Sequence, residues 1–533
     1  MNVKKCKGIA ALLAVVMTVM MFSGCAGGKS GKSAAVNLDG EIPENLTIFT
    51  NLGSNIPAAG GSTFNDCLSF QMLEEKTGCH VEWIHPASGA ATERFNMMMV
   101  SGEYPDAIVY NWGTAPGGIE SYVEDEVIVD LTPYIEKCMP NFWKILEENP
   151  EFKRDVETDD GKIYAIPYIN IDKELGKFQG PVIRQDWLDK LGLEVPTNAD
   201  ELYEVLKAFK TQDPNGNGKA DEIPMGGNKL EMYNGIGSLL WMFGAHWTYQ
   251  IQDNKVVYGP MTENFKEGLA YMAKLYSEGL IDPDYLLDTR AKVDAKFTSD
   301  QMGFIYGYQP TTYYSSMNDG KRVVAGIPFF YAADGKNYTF NNNYTQLVKT
   351  ATSLAISTAN ENVAGTLKWL DVLFSEEGIK MTNFGKEGLT YEMVDGKAVY
   401  TDYVKNPTNG KTSAQMIALN CAVRDTAFPM AGTWQYYKQS LAPWGIQAVE
   451  TWEACDPYVG GIVPPISRTT EEGETYSEIM NVVDTYMLEA VNKIVTGKES
   501  IDSWDATVEQ FKSMGIEEAI EIQNAAYKRY LAR

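Results

Sequence analysis

Ser101-Gly102-Glu103-Tyr104-Pro105-Asp106-Ala107-Ile108-Val109-Tyr110-Asn111-Trp112 is the stretch on which the fold turns. Glycine and proline make its first half a turn. Ala107 to Tyr110 is a short apolar run and reads as a strand. The same pattern runs upstream. Leu46 to Thr50 reads as a strand. Phe64 to Lys76 places Phe64, Leu68, Met72 and Leu73 at helical spacing and stops at Thr77-Gly78. Cys79 to Ile84 is the next strand, and Glu93 to Val100 the next helix. Strand, helix, strand, helix, strand predicts an α/β fold: a parallel sheet with helices on its faces. Ligands of such sheets bind beyond the carboxyl ends of the strands. Asn111 and Trp112 follow such an end directly, so they are binding candidates on topology alone.

Further along, Asp159-Asp160-Gly161-Lys162 reads as a turn before the strand Ile163 to Ile166, with a crossing between lobes at Pro167 and Tyr168. Val182 to Arg184 is a strand that runs into a helix ending at Gly192. The next helix starts with a capping box, either Asn198 with Glu201 or Thr197 with Asp200. Leu202, Val205, Leu206 and Phe209 give it an apolar face. Val323 to Ile327 is a strand whose end at Pro328 reads as a second crossing. Ile479 to Val495, Trp504 to Met514 and Glu517 to Leu531 are closing helices.

Asp213-Pro214-Asn215-Gly216-Asn217-Gly218-Lys219-Ala220-Asp221-Glu222-Ile223-Pro224 is the sharpest local motif. Oxygen side chains stand at positions 1, 3 and 5, glycine at 6 and Asp221 at 9, as at the front of a calcium loop. Alternation turns successive oxygens inward. Asp213, Asn215, Asn217 and Asp221 are expected ligands, with the backbone carbonyl of Lys219. Pro224 replaces the usual bidentate glutamate at position 12, and Glu222 is the nearest carboxylate for that role. The calcium is expected to be structural.

The first 24 residues read as an export signal: Lys4, Lys5 and Lys7, a short apolar run to Phe22, then Ser23-Gly24 before Cys25. The cut before a cysteine resembles a bacterial lipobox. The resemblance implies that Cys25 becomes a lipidated N-terminus, with a Gly/Ser/Lys tether after it. Gly31-Lys32-Ser33 ends a loose phosphate-loop pattern, but a signal precedes it and a linker follows, so that reading fails. The chain holds 71 acidic and 45 basic residues, which excludes nucleic acid and anionic lipid as expected partners. Cys67, Cys79, Cys138, Cys421 and Cys455 are widely spaced and fit neither a disulfide framework nor a zinc site. A Cys67–Cys79 bridge stays open beside buried free thiols. His80, His85 and His246 are the only histidines, and no hydrolase motif supports them.

From Leu46 to Arg533 the chain resembles the LplA-like subgroup of family 1 extracellular solute-binding lipoproteins of ABC importers. It is also similar to alginate-oligosaccharide-binding proteins. Ser101 to Asp106, Gly161 to Pro167, Ile183 to Gly192, Asp213 to Pro224, Phe374 to Gly378, Phe384 to Gly388 and Ala526 to Tyr530 carry the resemblance. In the alginate-binding relatives the loop matching Asp213 to Glu222 holds structural calcium. The resemblance implies a two-lobed periplasmic-binding-protein fold, type II-like, with crossing hinge strands and a ligand cleft between the lobes. The implied order is signal 1–24, tether 25–44, first lobe 45–166, second lobe 167–327, a return to the first lobe over 328–390, and the second lobe again over 391–533, with a crossing near Leu389. The function it implies is capture of an oligosaccharide for delivery to permease subunits. The protein would be a non-enzymatic monomer on the outer face of the cell membrane, held only by lipid. Candidate ligand contacts are Asn111, Trp112, Arg184, Trp241, Trp247, Tyr306, Tyr308 and Trp444. Net acidity favours neutral or mixed glycans. The other classes considered are a two-carboxylate glycoside hydrolase and a receptor that presents ligand to a sensor kinase.

Overall fold

A computed structural model describes residues 36–230, 235–317, 322–422 and 427–533. The signal segment, Cys25 and the tether as far as residue 35 lie outside the described residues. The described strands are β1 (Asn45–Phe49), β2 (His80–Ile84), β3 (Ala107–Asn111), β4 (Ile166–Asn170), β5 (Gln179–Arg184), β6 (Ile223–Met225), β7 (Tyr249–Gln252), β8 (Lys255–Tyr258), β9 (Met302–Tyr308), β10 (Val324–Gly326), β11 (Val348–Ile356), β12 (Tyr391–Val394), β13 (Lys397–Tyr400) and β14 (Ala431–Gly432). Two sheets organise the two lobes. The first has the order β14-β4-β11-β3-β1-β2 and the second β10-β5-β9-β6. The pairs β7–β8 and β12–β13 are separate hairpins.

In the first sheet β1 pairs in parallel with both β2 and β3, as the strand–helix alternation predicts. A late segment departs from that pattern: β11 runs antiparallel between β3 and β4, so the sheet is mixed. Side chains alternate across it with period two. Ala107 and Val109 join Leu46 and Ile48 in one core. Ile108 and Tyr110 join Phe95 and Trp112 on the other face. Burial on both faces explains the unbroken apolar run of β3. The Phe95 ring stacks on Tyr110 at 3.7 Å. Helices Leu68–Thr77 and Ala91–Ser101 end at Gly78 and Gly102, each with φ near 70°, where a Cβ would be strained.

The second lobe has its own core. Helix Ala199–Thr211 starts with an N-cap rather than either expected box: Asn198 accepts the Glu201 N–H, but the Glu201 carboxylate accepts the N–H of Thr197, one residue before the cap. Leu202, Val205, Leu206 and Phe209 are buried beneath it. At the end of β5, Arg184 is almost fully buried. It pairs with Asp186 (2.6 Å) and Asp300 (2.5 Å) and lies 4.8 Å over the Trp187 ring. Helices Thr470–Val495, Trp504–Ser513 and Ile516–Ala532 close this core through Met487, Val491, Phe511 and Ala519. The described cysteines are free thiols, all buried except the half-buried Cys455.

The chain passes between lobes at other points than the prolines suggest. Pro167 lies inside β4, opposite Ser353 of β11, and the crossing follows, between Asn170 and Gln179. Phe329, Phe330, Phe340 and Tyr344 are still in the second core, so the return falls between Tyr344 and Val348. Tyr391, Tyr400, Met416 and Tyr436 belong to the first core, and β14 to the first sheet. The chain therefore leaves the first lobe after Tyr437, not near Leu389. Helix Pro443–Ala454 then packs under β10 through Ala448. Proline marks the end of a strand, whereas lobe membership depends on distant burial partners.

Ionic contacts also link the lobes away from the crossings. Asp159, beyond helix Pro150–Val156 of the first lobe, accepts from Arg529 Nε (2.5 Å) and from Arg533 Nε and Nη2 (3.0 and 2.6 Å). Tyr530 donates to Asp155 at 2.9 Å. The Arg533 side chain is only 2% exposed, so little solvent screens it.

Two outcomes follow from these contacts. Asp159→Asn should remove about 2 kcal/mol of closure energy, since hydrogen bonds to charged groups carry that order of magnitude. Small-angle X-ray scattering should then show a larger radius of gyration for the ligand-free variant. An unchanged profile would mean that other contacts hold the lobes. Arg184→Ala should lower unfolding stability by about 3 kcal/mol in urea titrations, because it strands two carboxylates beside a core. A loss below about 1 kcal/mol would count against a structural role.

Candidate ligand cleft

At the carboxyl end of β3, Asn111 is exposed and Trp112 turns inward. The Trp112 indole N–H donates to the Ser353 carbonyl of β11 at 2.9 Å. Its ring packs against Phe95, Tyr110 and Tyr122. Thus fixed, Trp112 forms one wall of a cavity of about 640 Å³ between the lobes. The first lobe adds Glu120, Asp155, Tyr164 and Thr350. The second adds Arg468, Thr470, Ser477 and Arg533.

Burial tunes the titratable groups of this wall. It raises the Glu120 carboxyl above the usual range. It also raises Asp155, to about 6, against the opposing pull of the Tyr530 hydroxyl and Arg533. Burial lifts Tyr164 to about 12, so its hydroxyl keeps its proton and can donate. The wall thus offers donors, acceptors and an indole within a volume typical of a small-molecule site. Such a mixture suits a hydroxyl-rich solute.

The residues singled out from sequence scatter. Trp112 lines the cavity, but Asn111, the last residue of β3, does not. Arg184 is held by Asp186 and Asp300 and does not line it. Trp241 and Tyr306 are also corrections: both are 3% exposed in the second core, with ring centroids 5.4 Å apart. β9 is buried along its length, which turns Tyr306 inward. Trp247 is half-buried, and its buried indole N–H meets no acceptor. Tyr308 ends β9 with the Arg290 guanidinium 3.8 Å over its ring. Trp444 is 39% exposed and stacks on Tyr314. None of these last three lines the cavity. Sequence reasoning missed Glu120, Asp155, Tyr164 and Arg468. They meet only in space, and of the four only Tyr164 lies in a stretch that carries the resemblance, Gly161 to Pro167.

The Asp213–Pro224 segment folds as a tight polar loop. The Asp213 carboxylate accepts the N–H groups of Asn217 and Gly218, both at 3.0 Å. The Asn217 amide donates to Asp221 at 2.9 Å. One Glu222 carboxylate oxygen is buried and meets no donor. Burial raises the Glu222 carboxyl, and the charges of Asp213 and Asp221 raise it further. Crowded carboxylates with an orphaned buried oxygen fit a dication. Among the described residues no three acidic, histidine or cysteine side chains converge as a metal cage. This loop instead mixes carboxylate, amide and carbonyl oxygens.

Comparison with known proteins agrees with this architecture. Residues 53–380 match the bacterial extracellular solute-binding protein family. The fructooligosaccharide ABC transporter substrate-binding protein FusA of Streptococcus pneumoniae serotype 4 is 27% identical over 88% of both chains. The structure of S. pneumoniae FusA in complex with kestose superposes with a TM-score of 0.70 at 25% identity, covering 92% of this chain and 99% of that one. The alginate-binding protein AlgQ2, solved without calcium ion, gives a TM-score of 0.69 at 24% identity, covering 91% and 98%. At that identity the likeness concerns the fold alone. No described helix is long and apolar enough to cross a membrane. The family match spans more than half of the chain and the two-lobed architecture accords with it, so the chain belongs to the bacterial extracellular solute-binding proteins.

Proposed function

We propose that the protein captures an oligosaccharide outside the cell and delivers it to the permease subunits of an ABC importer. The carrying observation is the interlobe cavity of about 640 Å³, whose wall combines an indole, hydroxyls, carboxyls and a guanidinium. The transport role and oligosaccharide binding of FusA support the same reading. The Trp112 edge and the hydrogen-bonding groups opposite it would recognise the sugar. Closure of the lobes around the ligand would present a different outer surface to the permease. No bond is made or broken in this role. The protein acts as a monomer, tethered by lipid on Cys25 to the outer face of the cell membrane.

Asp213, Asn215, Asn217, the Lys219 carbonyl, Asp221 and Glu222 would hold a structural calcium. The ion would neutralise the crowded carboxylates and fix the loop that leads into β6.

A thermal-shift panel with calcium present tests the ligand class. A ligand at a hundredfold excess over its dissociation constant should add about 2.7 kcal/mol. We expect one oligosaccharide to raise the midpoint, with no product on chromatography. No shift with any sugar, or turnover of one, would overturn the reading. Chelation should lower the midpoint, and readdition of calcium should restore it. Asp213→Ala with Asp221→Ala should abolish that response. A calcium response that persists in the double variant would place the ion elsewhere.

A further inference from the structure

Two arginines line the cavity, and their surroundings differ. Arg533 is saturated: Asp159, the carbonyls of Arg154 and Glu157, and Ser467 Oγ accept its N–H groups. Arg468 is not. Its guanidinium lies 3.7 Å over the Tyr476 ring. Its Nε is buried and meets no acceptor. Among the described residues no carboxylate lies within ion-pair reach of it. Glu472 is close enough to feel its charge but is already filled. That carboxylate accepts two N–H groups of Arg529 and the backbone N–H of Thr469.

Among the described residues Arg468 donates to no protein acceptor, so the N–H groups it turns to the cavity are open to an external one. Stacking on Tyr476 fixes the plane of the guanidinium and leaves its N–H edge uncommitted. That edge matches a carboxylate in a bidentate pair. Thr470 and Ser477 line the cavity from the same helix and can hold neighbouring hydroxyls.

We propose that Arg468 is the specificity-determining residue of this cavity, and that the captured oligosaccharide places the carboxylate of a uronic acid or other acidic sugar against it. The proposal rests on the solute-binding reading above and sharpens it. It also reverses the expectation drawn from net charge. The acidity of the chain is a property of the whole molecule, whereas an unpaired cation stands in the cleft. Glu120, Asp155, Glu157 and Glu474 share the cavity wall, and burial raises Glu120 and Asp155, which lessens but does not remove their opposition to an anion.

Isothermal titration calorimetry on the calcium-loaded mature protein tests it. The acidic probes are trigalacturonate and a mannuronate trimer. The neutral probes are methyl-esterified trigalacturonate, kestose and cellotriose, and a sulfated trisaccharide separates sulfate from carboxylate. We expect an acidic probe to bind at least tenfold more tightly than every neutral one. Arg468→Gln should erase that preference while leaving the thermal midpoint near that of the parent. Arg468→Lys, which keeps the charge but loses the fork, should retain part of it. Equal or tighter binding of a neutral probe would overturn the acidic-sugar assignment and leave the solute-binding reading standing. So would an acid preference that survives Arg468→Gln, or tighter binding of the sulfated probe. No binding of any glycan would overturn both readings.

Discussion

Gly176 lies against the Asn343 carbonyl, and a Cβ on Gly176 would run into that oxygen. The first passage between lobes therefore meets, backbone to backbone, the residue that leads into the second. Lys173 and Lys177 tie the first passage to Glu453, on the helix that follows the third. Burial would raise the Glu453 carboxyl, but the two ammonium groups outweigh it and hold it low. Lys349, at the start of β11, bonds Asn343 Oδ1 and the Gln346 carbonyl, and burial pulls its ammonium down to about 8. The junction is thus close-packed and polar. Lobe motion must be absorbed by rotation about a few backbone bonds rather than by sliding of side chains.

The cavity lies between this junction and a separate set of contacts. On one side the crossings fix how the lobes can turn. On the other, Asp159 gathers Arg529 and Arg533 across the opening. The two differ in strength. A backbone contact without side chains changes little with conditions, while an ionic contact responds to charge and salt. Such a division lets one side act as a pivot and the other as a clasp. Arg533 belongs to both the clasp and the cavity wall, so a solute there would sense closure directly.

Much of the fold was legible because its signals are local. The parallel core of the first sheet follows from the run of Leu46 to Tyr110, and the Asn198 cap from its own four residues. The polar loop at Asp213 is likewise a matter of spacing. What escaped was pairing at a distance. Nothing near Val348 says that β11 will insert antiparallel between β3 and β4. Nothing near Tyr391 says which of two apolar cores it will join. The cleft escaped for the same reason. Aromatic residues drew attention, yet Trp241 and Tyr306 fill a core, while the polar residues that line the cavity come from unconnected segments.

The β14–β4 pairing bears on how such a chain is made. Ala431 pairs with Ile169, so the first sheet lacks its outermost strand until late in synthesis. Phe428, which packs on Phe64, Phe70 and Trp83, arrives at the same stage. The second sheet draws its strands from residues 179–326 and can complete earlier. The sheet begun first is therefore finished last, while the core of the second lobe still waits for the three closing helices. Long-range pairing of this kind is slow, and until β14 arrives the apolar face of the first lobe stays open. For a family that works outside the cell, a chain reluctant to close is well suited to threading through a membrane pore before it folds.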